Sequence, residues 1–245
     1  MVTLNPVRGP QAGGNSVVIT GTNLSGAVSV KFGTKSAAIT GNTATTVTVT
    51  APSGNGAVPV TVTTAGGPTS PVNYTYIAQP IKTSLSDTSG PLTGATTTIS
   101  GANLTTASSV TFGSVGSVTP TVVSDSTLNV TAPTAATAGT VPVSLTTSGG
   151  TTNGLFFTFL AAPVTSGISP ATGPEAGGTA STVTGTGLTE TTNVTYGATT
   201  AAYQVIDDGT LITYSPPGTG TVTVNVTTSG GTASTQSFTY VPSPG

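Results

Sequence analysis

The stretch GAVPVTVTTAGG, residues 56–67, recurs almost unchanged as GTVPVSLTTSGG at 139–150 and as GTVTVNVTTSGG at 220–231. Apolar and polar residues alternate along each copy, which is typical of a strand that buries one face and exposes threonine on the other. The distance between copies is the length of one small domain and is too long for a solenoid repeat. The chain is therefore expected to contain three similar domains.

Other motifs keep the same order around this block. Each unit opens on a proline- and glycine-rich motif (LNPVRGPQAGG at 4–14, LSDTSGPLTGA at 85–95, ISPATGPEAGG at 168–178) and closes on an aromatic strand, YTY, FTF or FTY. Turn residues separate about seven short strands in each unit, as in a two-sheet sandwich. The sequence predicts an all-β protein of three tandem immunoglobulin-like β-sandwiches, with domains at 1–78, 79–162 and 163–245.

The opening motif is expected to have an architectural role. Pro170 stiffens the chain where a first strand ends, Gly173 and Pro174 are predicted to form a turn, and Gly177 and Gly178 allow positive φ or a bulge before the next strand. The structural turn signature over the three units consists of Pro6, Gly9, Pro10, Gly90, Pro91, Pro170, Gly173 and Pro174.

The motif order resembles that of the IPT/TIG family of immunoglobulin-like domains. It runs P-x-x-G-P-x-x-G-G, [VI]-x-G-x-x-L, V-x-[FY]-G and then the alternating block, and it covers essentially the whole chain in three copies. The family occurs in plexins, some transcription factors and many bacterial surface or secreted proteins. The threonine-rich, charge-poor composition is most similar to bacterial or bacteriophage surface members. The second unit departs from the pattern at Asp87 and Ala95.

The scarcity of charge excludes several functions. Four basic and six acidic residues make up 4% of the chain, and histidine and cysteine are absent. The usual general base, thiol nucleophile and transition-metal ligands are therefore missing, so we expect no enzyme and no cofactor. Four cations cannot form a basic patch, so we expect no nucleic-acid partner. A surface with so little charge favours association between copies.

The acidic residues are expected to serve turns. Asp87 and Asp125 lie in predicted turns, and Asp207–Asp208–Gly209 is a plain turn signal without the alternating ligands of a calcium loop. The chain has no apolar run long enough for a transmembrane helix, which predicts no membrane insertion. Its first ten residues have no apolar core of a signal peptide, so no signal peptide is visible.

Two tyrosines stand out because they lie outside the repeated pattern. Tyr203 and Tyr214 have no aromatic counterpart in the other units, so they are candidate contacts for a glycan or a partner protein, although packing in a variant core or edge is the more common role. The rings at repeat-equivalent positions are predicted to be core residues: Phe32, Phe112, Tyr196, Tyr76, Phe159 and Tyr240.

Short linkers join the predicted domains. IAQP (77–80) and LAAP (160–163) each end in proline, which indicates a semi-rigid rod. We expect a non-enzymatic structural protein of an extracellular surface assembly, such as a fibre, sheath, surface layer or phage-tail-like appendage, whose partners are itself or another surface protein. The alternatives are a monomeric adhesin or polysaccharide-binding rod with its site in the third domain, and an accessory fragment of an enzyme.

Overall fold

The computed structural model describes residues 1–242. All of the regular secondary structure in that range is β-strand. In space the chain forms two compact units. The first consists of residues 1–86, 97–130 and 142–155, and the second of residues 87–96, 131–141 and those from 156 onward. Residues of the middle repeat thus belong to both units.

The first repeat forms a continuous sheet of nine strands. Its order is β1-β3-β6-β5-β4-β7-β9-β2, with β8 paired to β7. The sheet is continuous because β5 pairs with β4 through one part of its length and with β6 through the other. The strands are β1 (Thr3–Asn5), β2 (Arg8–Pro10), β3 (Ser16–Thr20), β4 (Ser29–Phe32), β5 (Lys35–Asn42), β6 (Thr46–Thr50), β7 (Gly56–Thr64), β8 (Gly67–Pro68) and β9 (Val72–Ile77).

The second repeat has two separate sheets, ordered β10-β12-β16-β15 and β11-β18-β17-β13-β14. Two strands, β14 and β15, replace the single β5 of the first repeat, and Pro120 lies between them. The strands are β10 (Ile81–Leu85), β11 (Ser89–Pro91), β12 (Thr96–Ala102), β13 (Ala107–Phe112), β14 (Gly116–Val118), β15 (Thr121–Ser124), β16 (Thr127–Thr131), β17 (Gly139–Thr147) and β18 (Gly150–Leu160).

The third repeat also has two sheets, ordered β19-β21-β25-β24 and β20-β27-β26-β22-β23. This confirms the predicted fold class of immunoglobulin-like sandwiches. The strands are β19 (Val164–Ser169), β20 (Thr172–Pro174), β21 (Ala180–Thr186), β22 (Thr191–Tyr196), β23 (Thr199–Thr200), β24 (Ala202–Asp207), β25 (Thr210–Tyr214), β26 (Thr221–Thr228) and β27 (Gly231–Val241).

The opening motif moves the chain from one sheet to the other. Pro6 and Pro170 directly follow β1 and β19, whereas the Gly-Pro pairs lie in β2, β11 and β20, each paired in parallel with the last strand of its repeat. The structure therefore places Gly173 and Pro174 in a short strand and not in the predicted turn. Proline is accommodated because β20 is an edge strand.

The turn comes immediately afterwards. Gly177 donates its N–H to the Pro174 carbonyl at 2.9 Å, and Gly177 and Gly178 have φ of 79° and 85°, as predicted. Gly173 is required for a different reason, since a Cβ there would lie 2.0 Å from Thr179 Oγ1 and 2.9 Å from the Phe238 ring. The glycine lets the crossing strand pass close to the core.

Aromatic rings form the centre of each core. All six rings predicted from the repeat to be core residues are buried, which confirms that prediction. In the third repeat Phe238 packs edge-to-face with Tyr196 and with Tyr240, at centroid distances of 5.2 and 5.1 Å. Such pairs add to the free energy gained from burial alone.

Tyr196 carries a buried hydroxyl that has no hydrogen-bond partner within the described residues. Burial raises the pKa of Tyr196, and the nearby Ser181 and Thr213 hydroxyls offset part of that rise without reaching hydrogen-bond geometry. Because an unpaired buried hydroxyl is destabilising, we expect Tyr196→Phe to increase the free energy of unfolding of the third repeat by about 1 kcal/mol in chemical denaturation. Tyr74→Phe is the matched control: its hydroxyl bonds to Asn15 at 2.9 Å, and its loss should decrease stability by about the same amount. A destabilising Tyr196→Phe would contradict this account.

Candidate functional site

The two tyrosines singled out from the sequence lie on adjacent strands but on opposite faces of one sheet. Tyr203 is opposite Thr213, which is fully buried, and Tyr214 is opposite Ala202. Tyr203 packs against the core and donates its hydroxyl to the Thr191 carbonyl at 3.0 Å. Tyr214 is 43% exposed. The pair therefore forms no common aromatic platform, and only Tyr214 presents its ring to solvent.

Phe156 is a third aromatic candidate, in addition to the two tyrosines predicted from the sequence. It lies in β18 and is 59% exposed. The signal was present in the sequence, since the residues before the closing aromatic motifs of the other repeats are Asn73 and Ser237. A large ring at a position that is otherwise polar indicates a solvent-facing aromatic residue.

Two of the acidic residues, Asp125 and Asp208, stabilise loops. Asp125 accepts hydrogen bonds from Thr105 Oγ1 at 2.7 Å and from the Asn103 N–H at 3.2 Å, and these bonds lower its pKa. Asp208 caps the corresponding loop of the third repeat, where bonds from the Gly187 N–H and from Thr189 lower its pKa. Over residues 1–242, no three carboxylates or other ligating side chains come together as a metal site would require.

Lys82 is the one cation of the middle repeat. It lies in β10, and its ammonium donates to the Val143 carbonyl. Burial lowers the pKa of Lys82 from 10.5 to about 8. At neutral pH, keeping the charge of a half-buried lysine with a carbonyl as its acceptor lowers the stability of the folded chain.

This shift has a measurable consequence. The unfolded chain holds the Lys82 proton more tightly than the folded chain does, so the free energy of unfolding should rise as the pH increases from about 8 towards 10.5. Below pH 8 the penalty is fully present. Denaturation at several pH values should show this slope in the native protein and a flatter profile in Lys82→Met. Identical profiles for the two proteins would contradict the assignment.

An open cavity of about 370 Å³ lies in the first repeat, lined by residues that include Gln11, Phe32, Lys35, Asn55 and Tyr76. Lys35 donates to the Ser53 carbonyl at 2.9 Å, so its charge is used to hold the adjacent loop. Lys35 is the only ionisable side chain among the lining residues apart from Tyr76. No carboxylate and no histidine is among the cavity's lining residues.

Each alternating block ends in a hairpin turn that contains two glycines (64–67, 147–150 and 228–231), called the glycine turn below. The two linkers contact the glycine turns of the second and third repeats. At Gly149 a Cβ would lie 1.9 Å from the Ala78 carbonyl oxygen, and at Gly230 it would lie 2.0 Å from the Ala161 carbonyl oxygen. Both glycines are buried. The linker backbone thus passes directly over the turn, and any side chain there would displace it.

Each of these two contacts borders a cavity. The cavity at the first linker has a volume of about 350 Å³ and includes Ala78, Asn103 and Asp125 in its lining. The cavity at the second has about 160 Å³ and includes Ala161, Gly187 and Asp208. Asn103 Nδ2 also donates to the Gln79 carbonyl at 3.0 Å, which adds a polar contact to the first linker.

β15 is an exposed edge strand. It ends the four-stranded sheet of the second repeat, and all four of its residues are exposed, with Val123 at 58%. An edge strand leaves backbone N–H and C=O groups available to another chain. None of the residues of β15 is charged.

The described residues also contain no helix suited by length and hydrophobicity to spanning a membrane.

The family model of the IPT/TIG domain matches residues 1–76, 80–159 and 163–240. A search of curated protein sequences found no match.

Similar solved structures include extracellular receptors, adhesins and glycan-binding proteins. The plexin A4 full extracellular region is 20% identical, covering 100% of this chain and 24% of that chain, with a TM-score of 0.47. The Escherichia coli adhesin FdeC is 14% identical over 99% of this chain and 96% of its own, with a TM-score of 0.39. SGBP-B from a complex xyloglucan utilization locus in Bacteroides uniformis is 23% identical over 66% of this chain and 49% of its own, with a TM-score of 0.31. This chain spans less than a quarter of the plexin chain's length.

The family model accounts for nearly every residue of the chain, in the order and number of copies that the sequence motifs predicted. The chain belongs to the IPT/TIG domain family and consists of three tandem IPT/TIG domains.

Proposed function

We propose that this protein is a non-enzymatic building block of an extracellular surface assembly, such as a fibre, a sheath, a surface layer or a phage-tail-like appendage. IPT/TIG and other immunoglobulin-like domains are typically non-catalytic. The proposed location is accordingly the cell surface, the extracellular space or a virion-like particle. Copies of the chain, or another protein of the same surface, are the proposed partners.

The exposed edge of β15 is the observation that supports this proposal most. Soluble proteins usually protect such edges with charged side chains, which prevent strand pairing between molecules. Here Val122 and Val123 are exposed instead. The neighbouring Asp125 is engaged in capping the loop at Asn103 and Thr105, so it is poorly placed to protect the edge. Contacts through strand edges and loops would then hold the copies together.

A charge on this edge should disrupt assembly. We expect Val123→Lys to reduce the amount of assembled protein in light scattering and sedimentation, because the buried ammonium would lose its hydration in a paired edge. Thr121→Ser, on the same strand, is the control and should assemble as the native chain does. Unchanged assembly of Val123→Lys would exclude this edge as the contact.

A second candidate function is an adhesin or glycan-binding protein with its site in the third repeat, and the exposed ring of Tyr214 favours it. Sugars stack on exposed aromatic rings, so Tyr214→Ala should abolish binding to an insoluble polysaccharide if this function is correct. Tyr203→Ala is a poor test because Tyr203 packs against the core. The assembly proposal predicts that Tyr214→Ala leaves assembly unchanged.

A further inference from the structure

The open cavity of the first repeat is bordered by the opening motif and by the loop that precedes β7. Gly54, in that loop, donates its N–H to the Gln11 carbonyl at 2.9 Å, and Tyr76 donates its hydroxyl to the Pro52 carbonyl at 2.7 Å. A Cβ at Gly54 would lie 2.2 Å from the Tyr76 ring, so the loop backbone packs directly on that ring. At about 370 Å³ the cavity has the size of sites that hold small ligands.

The side chains that line this cavity have hydrogen-bond donors to spare. Gln11 Nε2 donates to Asn55 Oδ1 at 2.7 Å, and no bond within residues 1–242 uses the N–H groups of the Asn55 amide. The Lys35 ammonium bonds to the Ser53 carbonyl and hydroxyl at 2.9 and 3.2 Å, which leaves at least one of its three N–H groups. An acceptor that enters the cavity would find both an amide and an ammonium donor.

No acidic side chain of the first repeat balances the charge of Lys35. The first acidic residue of the sequence is Asp87, so residues 1–78 contain three cationic side chains and no carboxylate. The other two cations, Arg8 and Lys31, are not among the residues that line the cavity. The Lys35 ammonium is therefore the charge that an anion in the cavity would meet.

The third repeat has the same frame with different side chains. Gly218 donates its N–H to the Glu175 carbonyl at 2.9 Å, as the corresponding glycine does in the first repeat. Glu175 thus takes the place of Gln11. Thr199 takes the place of Lys35, because each pairs with the last residue of the preceding strand. The frame is repeated, whereas the set of donors without an acid is absent from the third repeat.

A sugar acid matches this lining better than the carboxyl terminus of a peptide does. Val58 is the one aliphatic side chain among the lining residues, so the cavity has little apolar surface for a peptide side chain. Its polar side chains are two amides and two hydroxyls in addition to the lysine: Gln11, Asn55, Thr34 and Ser53. Amides and hydroxyls both donate and accept, as the hydroxyl groups of a sugar require.

We propose that this cavity binds a carboxylate-bearing sugar, such as a uronic acid unit of an acidic polysaccharide. The carboxylate accepts a hydrogen bond from the Lys35 ammonium, and the amides of Gln11 and Asn55 bind the sugar hydroxyls and set its orientation. The site goes beyond the proposed function, since it requires no contact between copies. It also lies in a different repeat from Tyr214.

Amide chemical shifts in ¹H–¹⁵N NMR spectra of the full chain test the site, with single sugars added at constant ionic strength. Glucuronate and glucose are matched probes because they differ in a carboxylate or a hydroxymethyl group at one carbon, and acetate supplies a carboxylate without the sugar. We expect glucuronate, up to roughly 20 mM, to shift the amides of Gly33 and Gly54 in a saturable way. The corresponding Gly197 and Gly218 of the third repeat should not move, and glucose and acetate should bind far more weakly.

Three variants separate the cavity from the general charge of the repeat. Lys35→Gln should weaken glucuronate binding by about tenfold, because a charge-assisted hydrogen bond is lost. Lys31→Gln removes the same charge from the same repeat outside the cavity, and it should bind as the native chain does. Gln11→Glu introduces the residue of the third repeat and should abolish binding through repulsion of the carboxylate.

Several results would overturn the site. Shifts at Gly33 and Gly54 that are equal with glucose and glucuronate would exclude a role for the carboxylate, and acetate as effective as glucuronate would exclude recognition of the sugar. Equal weakening by Lys35→Gln and Lys31→Gln would exclude the cavity as the place of binding, and so would an absence of any shift with glucuronate. None of these results depends on contacts between copies, so each would leave the proposed function standing.

Discussion

Replacing Phe238 by alanine is expected to lower the free energy of unfolding of the third repeat by about 3–5 kcal/mol. The side chain is fully buried, and its ring contacts both Tyr196 and Tyr240 edge-to-face. It also lies beneath Gly173, where the crossing strand has no side chain that could move in to fill the space. Differential scanning calorimetry should show a lower unfolding temperature for this repeat.

Phe156→Ala is the matched control, since it removes the same ring from a position that is 59% exposed. Its effect on stability should be under about 0.5 kcal/mol. Equal losses of stability in the two variants would contradict the view that rings at repeat-equivalent positions form the cores.

Replacing Gly149 by alanine is expected to release the first linker from its turn. The new Cβ would lie 1.9 Å from the Ala78 carbonyl oxygen and 3.0 Å from that of Ile77, and both are backbone atoms that cannot rotate away. We expect a destabilisation of about 1–3 kcal/mol, with faster proteolytic cleavage at residues 77–80. Calorimetry and limited proteolysis measure the two effects.

The same substitution in the first repeat provides the control. Gly66→Ala introduces a Cβ whose nearest neighbour is 3.6 Å away, so its effect should stay within about 0.5 kcal/mol. If Gly149→Ala were equally harmless, the linker would not be held by close contact with the turn.

The repeated motifs were sufficient to predict the sandwich fold and the buried rings, because alternation and repeat position are local properties of the sequence. The positions of Gly173 and Pro174 were not predictable in the same way. A glycine–proline pair is typical of a turn, but here it lies in a strand because the last strand of the repeat pairs with it. That pairing joins residues far apart in sequence.

The candidate contact residues were likewise only partly predictable from local sequence. Tyr203 and Tyr214 were identified together because neither has an aromatic counterpart in the other repeats. The pairing of β24 with β25 nevertheless places them on opposite faces of the sheet. Phe156 was missed because it directly precedes a repeated aromatic motif. The role of Gly149 depends on where the linker passes, which no local pattern specifies. The predicted rod and the domain boundaries at 78 and 162 stay predictions.

Negative-stain electron microscopy of the purified chain over a concentration series tests the central claim most directly. The proposed function predicts ordered filaments, rings or sheets that increase with protein concentration, in plain buffer and with little dependence on salt, because so few charges are available for contacts. Single particles at every concentration would contradict self-assembly by this chain.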